Sequence, residues 1–396
     1  MRLLIKLLTP VFLTLGMLLS VASAQHNVAA LGDITAAAAA NGITLSFEDV
    51  NVTESGRIEA IKVTAESAGA TLRAALLILE GYQKTENGLF LELFELRGVL
   101  GKFAESEGYE AGEFRADRII LTDLVMPPGK VTEYDGPTDY YSTMRFEEVS
   151  LSSLGETFFR VKMISGEAGF DETGKKFSEV IAASGIEADP TFLNDEDVSR
   201  EAKVLGFDTV SGELHMRYTY SIDEQTVTLD QFDFDVREAG TFTLGLMLGG
   251  VSPDVWDNLN SPLFTEGLSK DDIERIEMKE LAAATQLTVI NANLGFTDGG
   301  LAQKLLERWG KELGMPPDQL ANAIPAMISL GLKDSIMVDF RMMLSEAFGT
   351  FFQRKGSLIV AVKPDKPTLI MPLILTTAID PQAAIYAHNL TIEARE

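Results

Sequence analysis

Apolar and polar positions alternate with period two through much of the first 300 residues. The runs Ile43–Val52, Arg57–Ala65, Thr71–Glu80, Gly88–Val99, Glu113–Met126, Tyr140–Leu151 and Thr157–Ile164 fit that pattern and predict strands. Turn chemistry separates them, as in Thr53-Glu54-Ser55-Gly56 and Thr85-Glu86-Asn87-Gly88. Short links between sequential strands predict an antiparallel meander over 43–165, since a parallel sheet needs crossover connections. Residues 166–200 are rich in Gly and acid and predict a connector. A short amphipathic helix is expected there, around Lys175–Ser184, burying Phe177, Val180 and Ile181. A second β block is expected over 201–297. In its run Glu213–Tyr220, Leu214, Met216, Tyr218 and Tyr220 take one face, and Glu213, His215, Arg217 and Thr219 the other. Phe242–Val251 reads as a buried strand, Ser252-Pro253 opens a short helix, and strand pattern returns over Ile273–Phe296.

The period then changes. Asp298 caps a helix whose Leu301, Leu305, Trp309 and Leu313 recur every four residues, with Trp309 read as core. Gly314 and Pro316-Pro317 end it. A second helix is expected from Asp318 to Leu330, kinked at Pro325. A third starts near Asp334 with a wide apolar stripe. Ser357–Lys363 and Thr368–Thr376 predict two strands joined as a hairpin at Pro364-Asp365-Lys366-Pro367, and Ala384–Ala394 a last strand. The expected fold class is therefore α+β: an antiparallel β-rich body, then a C-terminal helical segment (298–396) closed by a β-hairpin and final strand.

The first residues read as an address. Met1 to Lys6 is a short basic start, Leu7 to Val21 an apolar run, and Ala22-Ser23-Ala24 a small-x-small cleavage signature. That pattern predicts a signal peptide over 1–24, with 25–42 as a spacer carrying a short helix capped by Asp33. The chain is expected to be exported, to the periplasm or outside the cell. No later run is long and apolar enough to predict an integral membrane span in the mature chain.

Six hexamers share one pattern, apolar-polar-acid/amide-apolar-x-apolar. They begin at Phe47 (FEDVNV), Leu121 (LTDLVM), Phe146 (FEEVSL), Leu229 (LDQFDF), Met278 (MKELAA) and Ala387 (AHNLTI). Apolar spacing of three then two flips the side-chain face once, as a β-bulge does. This strand style resembles the elongated, repetitive β-proteins of the bacterial envelope, the AsmA-like lipid-handling group. The resemblance implies a hydrophobic groove that carries or shields acyl chains. The helices within 298–353 depart from that group's pattern.

Composition removes most chemistry. The chain has 396 residues and no cysteine, so disulfides, thiolate metal sites and cysteine nucleophiles are excluded. Its formal charge of -26 repels nucleic acid, and no basic stripe interrupts it. Only three His exist: His26 near the expected mature terminus, and His215 and His388, both expected as solvated strand residues. H-E-x-x-H, G-x-S-x-G, S-x-x-K and G-x-G-x-x-G are all missing. Gly169-Phe-Asp-Glu-Thr-Gly174-Lys175-Lys176 approaches a phosphate loop. It has Lys176 where Mg²⁺ needs a hydroxyl, and reads as turn chemistry. No metal site and no cofactor are assigned. Acidic clusters such as Asp195-Glu196-Asp197 and Asp271-Asp272 lack calcium-loop spacing.

One local feature points to binding. Six of the 14 Met lie within 315–371, among Phe340, Phe348, Phe351 and Phe352. Met is flexible and polarisable, and such surfaces adapt to irregular apolar partners. The candidate ligand-binding residues are Met337, Phe340, Met343, Leu344, Phe348, Phe351 and Phe352, in a groove between the third helix and the last strands. The expected function is a non-catalytic exported envelope protein that binds an apolar, lipid-like ligand or another envelope component. An exported hydrolase using paired carboxylates, or a purely structural assembly component, are the alternatives.

Overall fold

The computed structural model describes residues 29–40, 43–67, 70–85, 88–103, 111–126, 141–190, 196–259, 278–279, 281–332, 338–372, 385 and 388–395. The chain divides into two compact units. The first is Met1–Gly169, Ala183–Ile186 and Trp256–Glu280; the second is Phe170–Ala182, Glu187–Val255 and Leu281–Glu396.

The first unit begins with helix α1 (Ala29–Ala40), followed by β1 (Thr44–Ser46), β2 (Asp49–Val52), β3 (Ile58–Ser67), β4 (Ala70–Glu80), β5 (Gln83–Thr85), β6 (Gly88–Phe103), β7 (Gly112–Met126), β8 (Thr143–Ser153) and β9 (Glu156–Phe170). All pair antiparallel: β1 and β2 with β3, then β3–β4, β4–β6, β6–β7, β7–β8 and β8–β9, with β5 beside β6. The meander was legible because each strand buries alternate apolar residues. Asp33 does not cap α1. It lies inside the helix, where its carboxylate accepts hydrogen bonds from the Tyr82 hydroxyl and, at 2.8 Å, from Lys84.

A crease crosses this sheet. Lys62 (φ 51°), Gly98 (φ 60°) and Glu148 (φ 50°) are in the left-handed region. Flanking pairs set Lys62 and Gly98 against Ala75, and Glu148 against Asp117 and Lys162. At the crease two consecutive residues point outward on every strand, and the buried residues jump by three: Ala60 to Val63, Leu96 to Val99, Ala116 to Ile119, Phe146 to Val149, Val161 to Ile164. Register is kept one for one, so the apolar side stays on one side of the sheet. A second crease sets Asp123 (φ 50°) against Glu92. Asp123, Glu148 and Asn389 (φ 48°) are each the third residue of a repeat hexamer, and the register of β12 shifts between Leu229 and Asp233, within a fourth. The hexamer at Met278 belongs instead to a helical stretch.

Strand β10 (Lys176–Ala188) is divided between the units. The helix expected around Lys175–Ser184 is thus a strand. Phe177, Ile181 and Ala183 are buried at period two, whereas Val180 is exposed. The phosphate-loop lookalike is the hairpin before it. The Asp171 carboxylate accepts from the Thr173 hydroxyl at 2.8 Å and the Lys175 amide at 3.1 Å, which closes the turn.

In the second unit, α2 (Glu196–Val204) precedes β11 (Val210–Ser221), β12 (Thr226–Val236) and β13 (Gly240–Gly249). Then come α3 (Pro253–Leu259), divided between the units after Val255, and β14 (Thr288–Asp298). Three helices follow, α4 (Leu301–Leu313), α5 (Pro317–Gly331) and α6 (Val338–Arg354), then β15 (Ser357–Val362), β16 (Thr368–Leu369) and β17 (Leu390–Arg395). The antiparallel order is β11–β12–β13–β14–β15–β17. Residues 281–286 are helical, so β14 starts later than the pattern over Ile273–Phe296 suggested.

The α+β architecture is as expected, with an antiparallel β-rich body, C-terminal helices and a final strand. The closing strands, however, are arranged in line. Both β15 and β16 pair with β14, at Ala292–Thr297 and at Thr288–Val289, and β15 pairs on its other side with β17. Pro364 and Pro367 interrupt one strand path rather than turning it, because proline cannot donate to a ladder.

Gly314 ends α4 in the left-handed conformation, as expected; the N-cap, however, is Gly300 and not Asp298, whose carboxylate two residues earlier accepts the Ala302 amide at 2.8 Å. The stripe of α4 differs: Ala302, Leu306 and Gly310 are buried, while Trp309 and Leu313 are exposed. The chain reverses tightly after α4, and a Cβ at Gly310 would lie 2.5 Å from the Met315 carbonyl oxygen. Small residues therefore take the contact, and Trp309 lies outside it against Phe352, ring centroids 5.9 Å apart.

Candidate functional site

The second unit's sheet has two unlike faces, because pairing brings like residues together across strands. One apolar row runs Leu214, Phe234, Phe242, Phe296, Leu358, Ala394. The next holds Met216 opposite Phe232, and Leu244, Leu294, Val360 and Ile392 in register. A third runs Tyr218, Leu229, Leu246, Ala292, Val362, Leu390. The opposite face is polar. It carries His215 opposite Asp233, Glu213 opposite Asp235, and Ser357 between Thr297 and Arg395.

Helices cover only part of the apolar face. Phe351 of α6 reaches Phe296, centroids 6.0 Å apart, and Phe296 continues to Phe242 at 4.7 Å. Beyond that wall Phe242 remains 38% exposed and Leu294 54% exposed. Phe242–Val251 is therefore not a fully buried strand: Met216, Tyr218, Phe232, Leu244 and Leu246 are half-buried. Across six strands at about 4.8 Å spacing, the face spans roughly 24 Å. Isolated apolar side chains on a surface are ordinary, but a contiguous set marks a contact surface.

Six of the seven residues singled out on the third helix lie on α6, and Met337 lies outside the described residues. Phe351 and Phe352 are buried with Ala302, Leu306, Leu320, Ala321 and Ile324, and Phe348 packs on that cluster. Phe340 is buried with Ala347 and Ile392, and Met343 and Leu344 pack beside them against β15 and β17. The Met343 sulfur accepts the Ile392 amide at 3.3 Å, so α6 covers the outer side of β17. These residues thus join helix to sheet, and Phe351 borders the open part. The residues of the open face were legible singly, in the alternation of Leu214 to Tyr220. Their assembly needed strand register, which one sequence does not print.

His215 is exposed on the polar face. His388, expected in solvent, is 7% exposed, buried beside the left-handed Asn389. The resolved carboxylate shifts are all downward, at Asp33, Glu95, Glu113 and Asp171. Burial pushes Glu95 up, but hydrogen bonds from Arg118 and Arg97 outweigh it. Tyr82 is pushed up to about 12 by burial and by its bond to Asp33. A general acid at neutral pH needs the opposite, a raised carboxyl. Among the described residues no three His, Asp or Glu side chains gather to hold a metal, and no helix is long and apolar enough to cross a membrane.

Comparison with known proteins adds little to the geometry. A family described as an uncharacterized protein matches residues 233–395, which includes most of the apolar face. No curated protein matches the chain. Among solved structures, the chain is similar to LptH of Pseudomonas aeruginosa, described as the LptA-homologous periplasmic component of the lipopolysaccharide transport device. The identity is 11%, the TM-score 0.19, and the match covers 31% of this chain and 73% of that one. A score that low is not a shared overall fold.

Proposed function

We propose that this chain is an exported, non-catalytic envelope protein that binds an apolar, lipid-like ligand, or an apolar part of another envelope component, on the open sheet face of its second unit. The observation that carries this reading is Leu294, more than half exposed within an apolar row that runs Leu244, Leu294, Val360, Ile392 across four strands. Each methylene buried there contributes about 0.8 kcal/mol. The basic start, apolar run and Ala22-Ser23-Ala24 support export.

In this reading Phe351 walls the site, and Phe340, Met343, Leu344, Phe348 and Phe352 hold that wall on the sheet. Met337 belongs to the same proposal through its place just before α6. The polar residues opposite Asp233, Asp235 and Thr297 lie on the other sheet face from the apolar rows, and Asp33, Glu95, Glu113 and Asp171 are shifted down, away from what a general acid needs; both favour the binding reading over the hydrolase one. Mass spectrometry of the natively purified protein tests the proposal. Bound lipid, or a bound envelope protein, is expected; a bare chain that also fails to take up a hydrophobic dye while folded contradicts it.

A further inference from the structure

We propose that the first unit carries an anion site for a phosphate group, at the shallow pocket lined by Thr71, Arg73, Leu100 and Lys102. The pocket holds about 140 Å³. It lies where register assembles cations that are far apart in sequence. Arg73 on β4 is opposite Leu100 on β6, Leu100 opposite Arg115 on β7, Arg115 opposite Ser150 on β8, and Ser150 opposite Arg160 on β9. Three arginines thus share one line across the sheet, about 10 Å apart at two strand spacings each, with no acid on the line. Thr71 and Lys102 face each other one row away.

The chemistry of that set is phosphate recognition. A guanidinium offers a planar fork that matches phosphate oxygens, an ammonium adds a point charge, and a hydroxyl adds a further donor. Two acids flank the pocket: Glu66 on β3, directly opposite Thr71, and Glu113 on β7, opposite Lys102. Glu113 binds Lys102 at 2.9 Å and Arg115 at 3.0 Å, and these bonds hold its carboxyl below the usual range. Arg73 and Arg160 have no ion pair among the described residues. Arg73 is the unpaired arginine at the pocket; Arg160 lies four strand spacings away, roughly 19 Å, and is not part of it. Acids farther than about 8 Å are screened at physiological ionic strength and do not cancel the local field.

The phosphate could belong to a lipid headgroup or be free. The full chain is therefore titrated with inorganic phosphate by calorimetry, and floated with phosphatidylcholine vesicles with and without phosphatidylglycerol. The variants are Arg73→Gln with Lys102→Gln, and Arg73→Lys, which keeps the charge and loses the fork. Binding to at least one phosphate-bearing probe is expected, weakened at least fivefold in the double variant, less in Arg73→Lys, and reduced by salt, with thermal unfolding unchanged. Phosphate binding alone assigns a soluble source, and selective binding of the phosphatidylglycerol vesicles assigns a headgroup; either supports the site. No binding to either probe, or a double variant that binds like the parent, overturns it. The pocket is argued independently of the apolar face, so either proposal can fail alone.

Discussion

Leu294 on β14 lies directly opposite Leu244 on β13, on an apolar face where Met216, Tyr218, Phe232, Leu244 and Leu246 are half-buried. Two leucines so placed add little to folding, because Leu294 keeps more than half its surface in water. Their exchange for charge should therefore separate binding from stability. Leu294→Glu is expected to cut hydrophobic-dye and lipid binding at least tenfold, with a stability loss under about 1 kcal/mol, as for other surface substitutions. Dye titration alongside urea unfolding checks this. Equal losses in both would make Leu294 core.

A second prediction concerns the wall. A Cβ at Gly349 of α6 would lie 2.5 Å from Cγ of Pro325 on α5, and a proline ring cannot swing aside. Helix propensity favours Gly349→Ala by about 1 kcal/mol, and the clash opposes it by about 1–3 kcal/mol. Gly349→Ala should lose stability in chemical denaturation. Gly331→Ala, with open space around it, should be neutral or stabilising.

The creases give a third. Glu148 has φ 50°, a conformation that costs a side chain about 1 kcal/mol or more and a β-branched one most. In a regular strand Val outranks Gly. At 148 the order should reverse, with Glu148→Gly near parental stability and Glu148→Val lower by about 1–2 kcal/mol. A Val variant as stable as the Gly variant would mean that residue 148 is ordinary extended strand.

Acid stability supplies the fourth. Glu95 is 4% exposed and its carboxylate accepts from Arg118 at 2.5 Å and Arg97 at 2.6 Å. Its folded pKa is lowered, so its contribution is complete above the unfolded carboxyl value and disappears as pH falls through the folded one. Glu95→Gln should destabilise the protein at neutral pH by about 2 kcal/mol, since both arginines keep partial access to water. It should also flatten the fall in stability below about pH 4. Unfolding curves from pH 3 to 7 read both effects, and parallel curves would remove Glu95 from the acid limb.

Much of the fold was legible because burial follows period. The strands from Ile58 to Ile164 show their buried side residue by residue. The repeat hexamers suggested a bulge that flips the face; at Asp123 and Glu148 the structure has a left-handed residue with register kept one for one instead, so the face does not flip. The misreadings share one cause: tertiary contacts overrode local pattern. Phe177, Val180 and Ile181 suit a helix by spacing, but pairing made them strand. Trp309 suits a core stripe by size, but the reversal at Gly310 gave the contact to smaller residues. The apolar face and the line of Arg73, Arg115 and Arg160 were invisible for a different reason. Both are built from residues tens of positions apart, brought into rows by register alone.

The most direct measurement of the central claim places a photo-crosslinking amino acid at Leu294, with His215 on the opposite sheet face as control, in the producing cell. Irradiation should give a lipid or envelope-protein adduct at 294 and none at 215. Adducts at neither position, or equally at both, would contradict a binding role for the apolar face.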